Sequence, residues 1–334
     1  MTTAPPPLPT HRLGRLKVPA QGLGCLSTTS FYGVADPAEA LATVHEAIDR
    51  GVALLDTADV QGLGEGERLL GRAVAGRRDR VLLSTKVGLE RDAQGKFLGV
   101  RGDRAYIRER CHASLRRLGV DHLDLYVKHW AAPGEDIEEA MGAMAELVAE
   151  GKVLDVCLSE VSAATLRRAH AIHPVTAVQS EWSLWSRDVE VEILPVCREL
   201  GVGLIASSPL GRGFLTGRIR SEADLGPATD FRRTLPRFDP PHLRRNVAVV
   251  DALRPLADAH GITVAQLALA WLHQQGDDIV PIPGTARRDH LAENLAAVSV
   301  QLSADELAAV ASAVPANAVH GDRYPPFLMT LVGN

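Results

Sequence analysis

The sequence predicts an α/β fold: a closed (β/α)8 TIM barrel with a small N-terminal hairpin and extra helices at the C-terminal end. Three observations carry this expectation. Short apolar runs recur at Gly22–Leu26, Val52–Leu55, Val81–Ser84, Leu123–Val127, Val153–Leu158, Ala177–Gln179, Val202–Ala206 and Ile279–Ile282. None has clean period-2 polarity, as expected of strands buried on both faces. Amphipathic stretches at helical spacing separate them, and eight such alternations close into a parallel barrel with active groups at the strands' C-terminal ends. The rival is a doubly wound open sheet. It wants a glycine-rich turn after the first strand, and Gly22-Leu23-Gly24-Cys25-Leu26-Ser27 lacks the third glycine.

The elements follow in order. Residues 1–10 are Pro-rich and expected to be disordered, and His11 to Pro19 reads as a hairpin around Gly14. Asp36 and Pro37 suit the N-cap and N1 positions of a helix that carries Leu41, Val44 and Ile48. Further helices are expected over Tyr106–Leu118, Ile137–Glu150, Ser162–His173 and Val189–Leu200. Gly51, Gly119, Gly151 and Gly201 follow helical stretches as C′ residues do. The segment Gly211–Leu243 interrupts the alternation, and a connection that long is usually functional. Ser303–Met329 adds a helix at Ala304–Val314 and an extended end able to close over the barrel mouth.

The 334 residues are read as one barrel domain spanning 1–334. Hydrophobic residues make up 46% and charged residues 23%, a globular balance. A formal charge of −5 gives no electrostatic case for nucleic acid or an anionic membrane as partner. The four cysteines are far apart and form no CxxC pair, so reduced core thiols are expected and no metal site. The first residues lack the basic start and apolar core of a signal peptide. No apolar run approaches the ~20 residues needed to span a bilayer. A soluble, cytoplasmic protein with a small-molecule substrate is expected, of open oligomeric state.

Three expected strands end on a carboxylate, an ammonium and an imidazole: Asp56 in LLDTADVQG, Lys86 in VLLSTK and His129 in LDLYVKH. Adjacent on one barrel rim, they are the makings of an acid–base site. Together with SPLGRGFLTGR and PIPGT…LAEN, these motifs make the chain similar to the aldo-keto reductases along nearly its full length. It most resembles the bacterial type with GLGC early and SPLGRGFLTG late.

The resemblance implies NADP(H) as cofactor and carbonyl reduction, with an Asp holding a Lys, the Lys lowering the pKa of a Tyr general acid, and a His orienting the carbonyl. Asp56, Lys86 and His129 match three of these roles. The family's Tyr lies five positions after the Asp, where this chain has Gln61 followed by the matching Gly62. An amide donates hydrogen bonds but gives up no proton near neutrality. Losing a general acid removes a factor of roughly 10²–10⁴. A protonated His129 or Tyr32 is the candidate replacement.

The resemblance also assigns a cofactor cradle. Pro209, Leu210, Gly211, Arg212, Gly213, Gly217 and Arg218 lie in the segment that wraps the pyrophosphate, and Ser207 immediately precedes it on the nicotinamide side. Gly284, Thr285, Glu293 and Asn294 hold the adenosine end, with Arg287 and Arg288 toward a 2′-phosphate. Ser159 and Gln179 bind the carboxamide. Two more departures accompany Gln61: Ser207 where the family has a stacking Tyr, and Ala286 where close relatives carry Lys. Beside His129, Trp130 replaces a more polar residue, and Tyr32, Trp130 and Trp182 are the expected substrate-pocket wall, with Trp185 either adding to it or packing under the long loop. Three readings stay open: an NADPH-dependent oxidoreductase of unusual substrate with weak ordinary carbonyl reduction; a repurposed barrel doing elimination, isomerisation or cyclisation; and a non-enzymatic nicotinamide-binding protein.

Overall fold

The computed structural model describes residues 7–33, 35–315 and 318–334. Most of the N-terminal stretch expected to be disordered, residues 1–6, lies outside them. Thr10, however, already belongs to a strand, and Pro9 accepts a backbone hydrogen bond from Ala20.

Eight parallel strands form one sheet in sequence order: β1 (Leu23–Gly24), β2 (Leu54–Asp56), β3 (Leu82–Val87), β4 (Leu123–His129), β5 (Val153–Ser159), β6 (Val175–Glu181), β7 (Gly203–Ser207) and β8 (Ile279–Pro281). The sheet closes on itself. Gly22 N–H donates to Pro281 O at 3.0 Å, and Gly24 bridges Gly284 in parallel register. Gly24 is needed at this seam, because a Cβ there would sit 2.8 Å from Ile282 O.

Alternation along the strands sorts the barrel interior into layers. Leu54, Leu125, Val127, Cys157, Ala177, Ile205 and Val280 fill it. From below, the antiparallel hairpin Thr10–Leu13/Leu16–Pro19 plugs it with Leu13 and Val18. Gly203 is the point of contact, since a Cβ would meet Leu13 Cα at 2.5 Å. The packed lower barrel leaves only the upper rim for chemistry.

Helices cover the outside: α1 (Pro37–Asp49), α2 (Glu65–Val74), α3 (Arg104–Leu118), α4 (Ile137–Ala149), α5 (Ala163–Ile172), α6 (Ile193–Leu200), α7 (Pro240–Ala259), α8 (Val264–His273) and α9 (Arg288–Ala296). Asp36 caps α1 by accepting from Ala38 N–H at 2.9 Å. Gly119 and Gly201 end α3 and α6 in the left-handed conformation. α10 (Ala304–Ala313) starts with a Ser303/Glu306 capping box.

Two excursions rise over the upper rim. A hairpin, Leu89–Arg91 with Phe97–Val100, follows β3. The long segment after β7 contains 3-10 turns at Phe214–Thr216, Glu222–Asp224, Phe231–Thr234 and Pro236–Phe238 before α7 begins. The C-terminal tail returns to the same rim. Asn334 O accepts from Ser162 N–H at 3.1 Å, and Glu160 O accepts from Gly333 N–H at 2.8 Å.

Candidate active site

β2, β3 and β4 lie side by side, and the register sets their ends level. Asp56 faces Ser84, Lys86 faces Val127, and His129 faces Ser159. Ser84 and Lys86 are two residues apart and so point to the same face, into the barrel mouth. Lys86 Nζ pairs with Asp56 Oδ2 and donates to Thr57 O at 2.8 Å. The other carboxylate oxygen of Asp56 accepts from Ser84 Oγ at 2.7 Å and from Gln179 Nε2 at 3.0 Å. Asp56 and Lys86 are each 5% exposed. A buried pair so fully bonded is rigid, and deleting one partner typically costs ~3–5 kcal/mol. An ammonium has three N–H donors. Two of Lys86's are used, and the third has no protein acceptor among the described residues.

Gln61 lines the same cleft but does not bond Lys86. Its Oε1 accepts from Thr57 Oγ1 at 2.9 Å, and Gly66 at the start of α2 packs against its side chain. Its amide N–H groups have no acceptor among the described residues. Gly62 and Leu63, both at positive φ, carry the chain sharply into α2.

His129 is held neutral. Burial pushes its pKa well below the usual imidazole value, and the charges of Lys86, Lys128 and Arg91 add to this. Its Nδ1 is buried without a partner. The expectation that a protonated His129 replaces the missing acid is therefore corrected: the ring can donate one N–H bond, not an acidic proton. Trp130 follows at φ +64, a left-handed conformation costly for a non-glycine residue, and its ring meets His129 and Tyr324 edge to face.

The cleft has a volume of about 1250 Å³. From Lys86 and His129 it runs past Ser159, Gln179, Ser207, Pro209, Leu210 and Gly213 to Arg218, Gly284, Thr285, Arg287, Glu293 and Asn294. The lining carries the amide of Gln179 and the hydroxyl of Ser159 at the reacting end and Arg218 and Arg287 at the other, a set able to hold a nicotinamide cofactor. The far-end cations form ion pairs: Arg218 with Glu293 at 3.3 Å, and Arg287 with Asp289 at 2.5 Å. Arg287 and Asp289 are 62% and 59% exposed, and pairs this exposed contribute little and yield readily to a ligand.

Several expected residues are placed elsewhere. Arg288 does not reach the cleft wall, because its guanidinium forks onto Glu39 at 3.1 and 3.0 Å. Gly211 and Gly217 shape the loop from behind; a Cβ on Gly211 would meet Trp185 Nε1 at 2.4 Å. Arg212 reaches the wall with its guanidinium already engaged. It donates to Glu181 at 2.9 Å, Tyr324 at 2.8 Å and Tyr32 at 3.2 Å. It fastens three segments of the rim together and presents no free cation. Trp182 is not a pocket wall. It is 1% exposed, packs edge to face on Trp271 and donates to Glu190 at 3.0 Å. Trp185 stacks on Phe214 at 4.1 Å beneath the long loop. Tyr32 and Trp130 do line the cleft.

The wall also contains residues that sequence reasoning passed over: Arg91 and Phe97 from the hairpin after β3, Phe231 from the long segment, and Tyr324 and Phe327 from the tail. Phe231 rests against Phe31 at 4.5 Å, joining the loops after β1 and β7. The four aromatic ones had a signal in the aromatic content of segments otherwise rich in Gly, Pro and charge, and Arg91 had none.

All four cysteines are buried and unpaired. No helix among the described residues is long and apolar enough to cross a membrane.

The chain's likeness to known proteins agrees with this geometry. Residues 22–315 match the model of the aldo/keto reductase family. A glycerol dehydrogenase from Gluconobacter oxydans is 26% identical, with a TM-score of 0.82 over 95% of this chain and 99% of that one. An aldo/keto reductase from Klebsiella pneumoniae, solved with NADP and acetate, is 30% identical, with a TM-score of 0.73 over 95% and 99%. One from the same organism solved with NADPH is 30% identical, with a TM-score of 0.72 over 94% and 98%. The strand-end triad, the barrel and this match over most of its length agree: the chain belongs to the aldo/keto reductase family.

Proposed function

We propose that the protein is an NADPH-dependent oxidoreductase whose site works without a tyrosine acid, on a substrate that needs little proton donation from the enzyme. The carrying observation is the arrangement at the rim. Asp56 holds Lys86 at the mouth, Gln61 bonds Thr57 instead of Lys86, and His129 is neutral. The cationic far end of the cleft, and the NADP and NADPH held by the two Klebsiella relatives, support the phosphorylated nicotinamide dinucleotide. The unpaired cysteines suit a reducing, cytoplasmic compartment.

When bound, the nicotinamide supplies a hydride. The chain's own residues do the rest. Ser159 and Gln179 fix the carboxamide, and Gln179 is itself oriented by Asp56. The uncommitted N–H of Lys86 and the one N–H of neutral His129 stabilise negative charge developing on the substrate. The amide of Gln61 adds a donor that cannot release a proton. Ketones and aldehydes, which require a proton on oxygen, are poor substrates for such a set. Activated alkenes are better ones, because their charge spreads over several atoms and is discharged by a proton from solvent. Imines that arrive protonated become neutral amines on hydride transfer and need no donor.

NADPH oxidation measured over a panel of aromatic aldehydes, cyclic imines and enones tests this. The expected result is turnover of an imine or enone exceeding that of the aldehydes by ~10²-fold or more. No oxidation with any member, while fluorescence titration shows NADPH bound, overturns it. The free N–H of Lys86 also suits a non-redox reaction, and product formed without NADPH consumption favours that second reading.

A further inference from the structure

Five arginines line the cleft, and four have a carboxylate partner: Arg212 with Glu181, Arg218 with Glu293, Arg232 with Asp230 and Arg287 with Asp289. Arg91 has none among the described residues. It ends the first strand of the hairpin after β3, on the wall that also carries His129, Trp130 and Phe97. Its flanking acids are engaged elsewhere. Glu90 pairs with Arg101 at 3.0 Å, and Asp92 accepts from the backbone N–H groups of Gln94 and Lys96 in the hairpin turn.

A guanidinium has five N–H donors in a planar fork. Arg91 spends one on Gly95 O at 2.6 Å. Its Nε is buried with no partner. Burial alone acts on its pKa, downward, with no acid close enough to oppose it. A half-buried cation with an unsatisfied donor is costly to maintain unless something else completes it. The cleft is where that partner would come from, and Arg91 is close enough to the reacting end for its charge to act on His129.

We propose that Arg91 is a substrate-anion site: the substrate carries a carboxylate that pairs with Arg91 while its reducible group lies by Lys86 and His129. This rests on the oxidoreductase reading for the reaction but not for the binding. A carboxylate fits better than a phosphate. One guanidinium neutralises one charge and matches the two carboxylate oxygens with parallel donors. A dianion would leave a net negative charge against a wall of Leu89, Phe97, Trp130, Phe327 and Leu328. The same wall suits an aromatic or bulky apolar body between the carboxylate and the reacting group.

The test uses the NADP-loaded protein with the aromatic enone benzylideneacetone, its 3- and 4-ring carboxylates and their methyl esters. Calorimetry gives Kd, and NADPH oxidation gives KM and kcat separately. In the parent, at least one acid is expected to bind ~10- to 100-fold tighter than its ester, the range of a charge-assisted hydrogen bond. In Arg91→Gln that ratio falls to about 1 through Kd and KM, with kcat little changed. Arg91→Lys retains part of it. A ratio near 1 in the parent, no measurable binding of either acid, or an unchanged ratio in Arg91→Gln overturns the proposal. An Arg91-dependent preference without any NADPH oxidation sinks the oxidoreductase reading and keeps the anion site. Reduction without the preference does the reverse.

Discussion

The two ends of the cleft are built on opposite principles. At the reacting end, Asp56 and Lys86 are nearly inaccessible, and each oxygen of Asp56 is accounted for by Lys86, Ser84 or Gln179. At the far end, Arg218, Arg287 and Asp289 are more than half exposed and form pairs that solvent screens. A change at the buried end has no solvent to soften it. A change at the exposed end is shared among several weak contacts. The departures that the resemblance implies fall at both ends, Gln61 and Ser207 at one and Ala286 at the other, and the contrast ranks their expected effects. Ala286 removes one cation from a group that still has Arg218 and Arg287. Gln61 puts an amide where the resemblance expects the acid, and neutral His129 beside it does not supply one.

Lys86→Met should show the largest effect. It is expected to lower kcat on any reduced substrate by ~10²–10⁴-fold. It should also lower stability by ~3–5 kcal/mol, since Asp56 is left buried and unpaired; denaturant unfolding reads this. If the variant is as stable as the parent, Asp56 and Lys86 do not form the rigid pair described. Trp130→Ala comes next. It removes an aromatic wall beside His129 and should raise KM by ~10-fold, whereas Trp182→Phe should change stability and leave KM alone. Equal kinetic effects would return Trp182 to the pocket.

At the far end, Arg287→Ala is expected to weaken NADPH by only ~3- to 10-fold and NADH hardly at all, and Arg218→Ala to weaken both by a similar factor. A loss of ~10³-fold from either would break the contrast, because it would mean one dominant contact. The smallest effect is on pH dependence. Burial lowers the pKa of His129, and lowers that of His273 to about 4. Each imidazole is neutral when folded and takes a proton more readily when unfolded. Between pH 6.5 and 4 the unfolded state therefore binds more protons, so stability falls as pH falls through that window. His273→Gln should flatten the Tm profile there.

The barrel was legible because its strands are buried on both faces. Runs such as Val202–Ala206 offer no polar edge, and capping residues such as Asp36 mark where helices begin. α2 was not legible, since it is short, carries two helix-weakening glycines, Gly66 and Gly71, and has an apolar stripe of only Leu69, Leu70, Ala73 and Val74. α8 was hidden for the opposite reason: it is apolar on nearly every side and has no amphipathic period to read. At the site, the strand ends were legible and the side-chain partners were not. Arg91 lies between Glu90 and Asp92 and reads as a neutralised surface charge. Only the fold shows that both acids are spent on other groups. Trp182 and Trp130 look alike in sequence, and burial against Trp271 separates them. A protonated His129 was a reasonable expectation from its ordinary pKa, and desolvation removed it.

Position 61 is where the chemistry of the rim is decided. Gln61→Tyr, in single-turnover reduction of an aromatic aldehyde by NADPH, should raise the hydride-transfer rate by ~10²-fold or more, with the NADPH Kd unchanged. No gain, with NADPH bound as tightly as in the parent, would contradict the claim that the site is a reductase lacking only its acid.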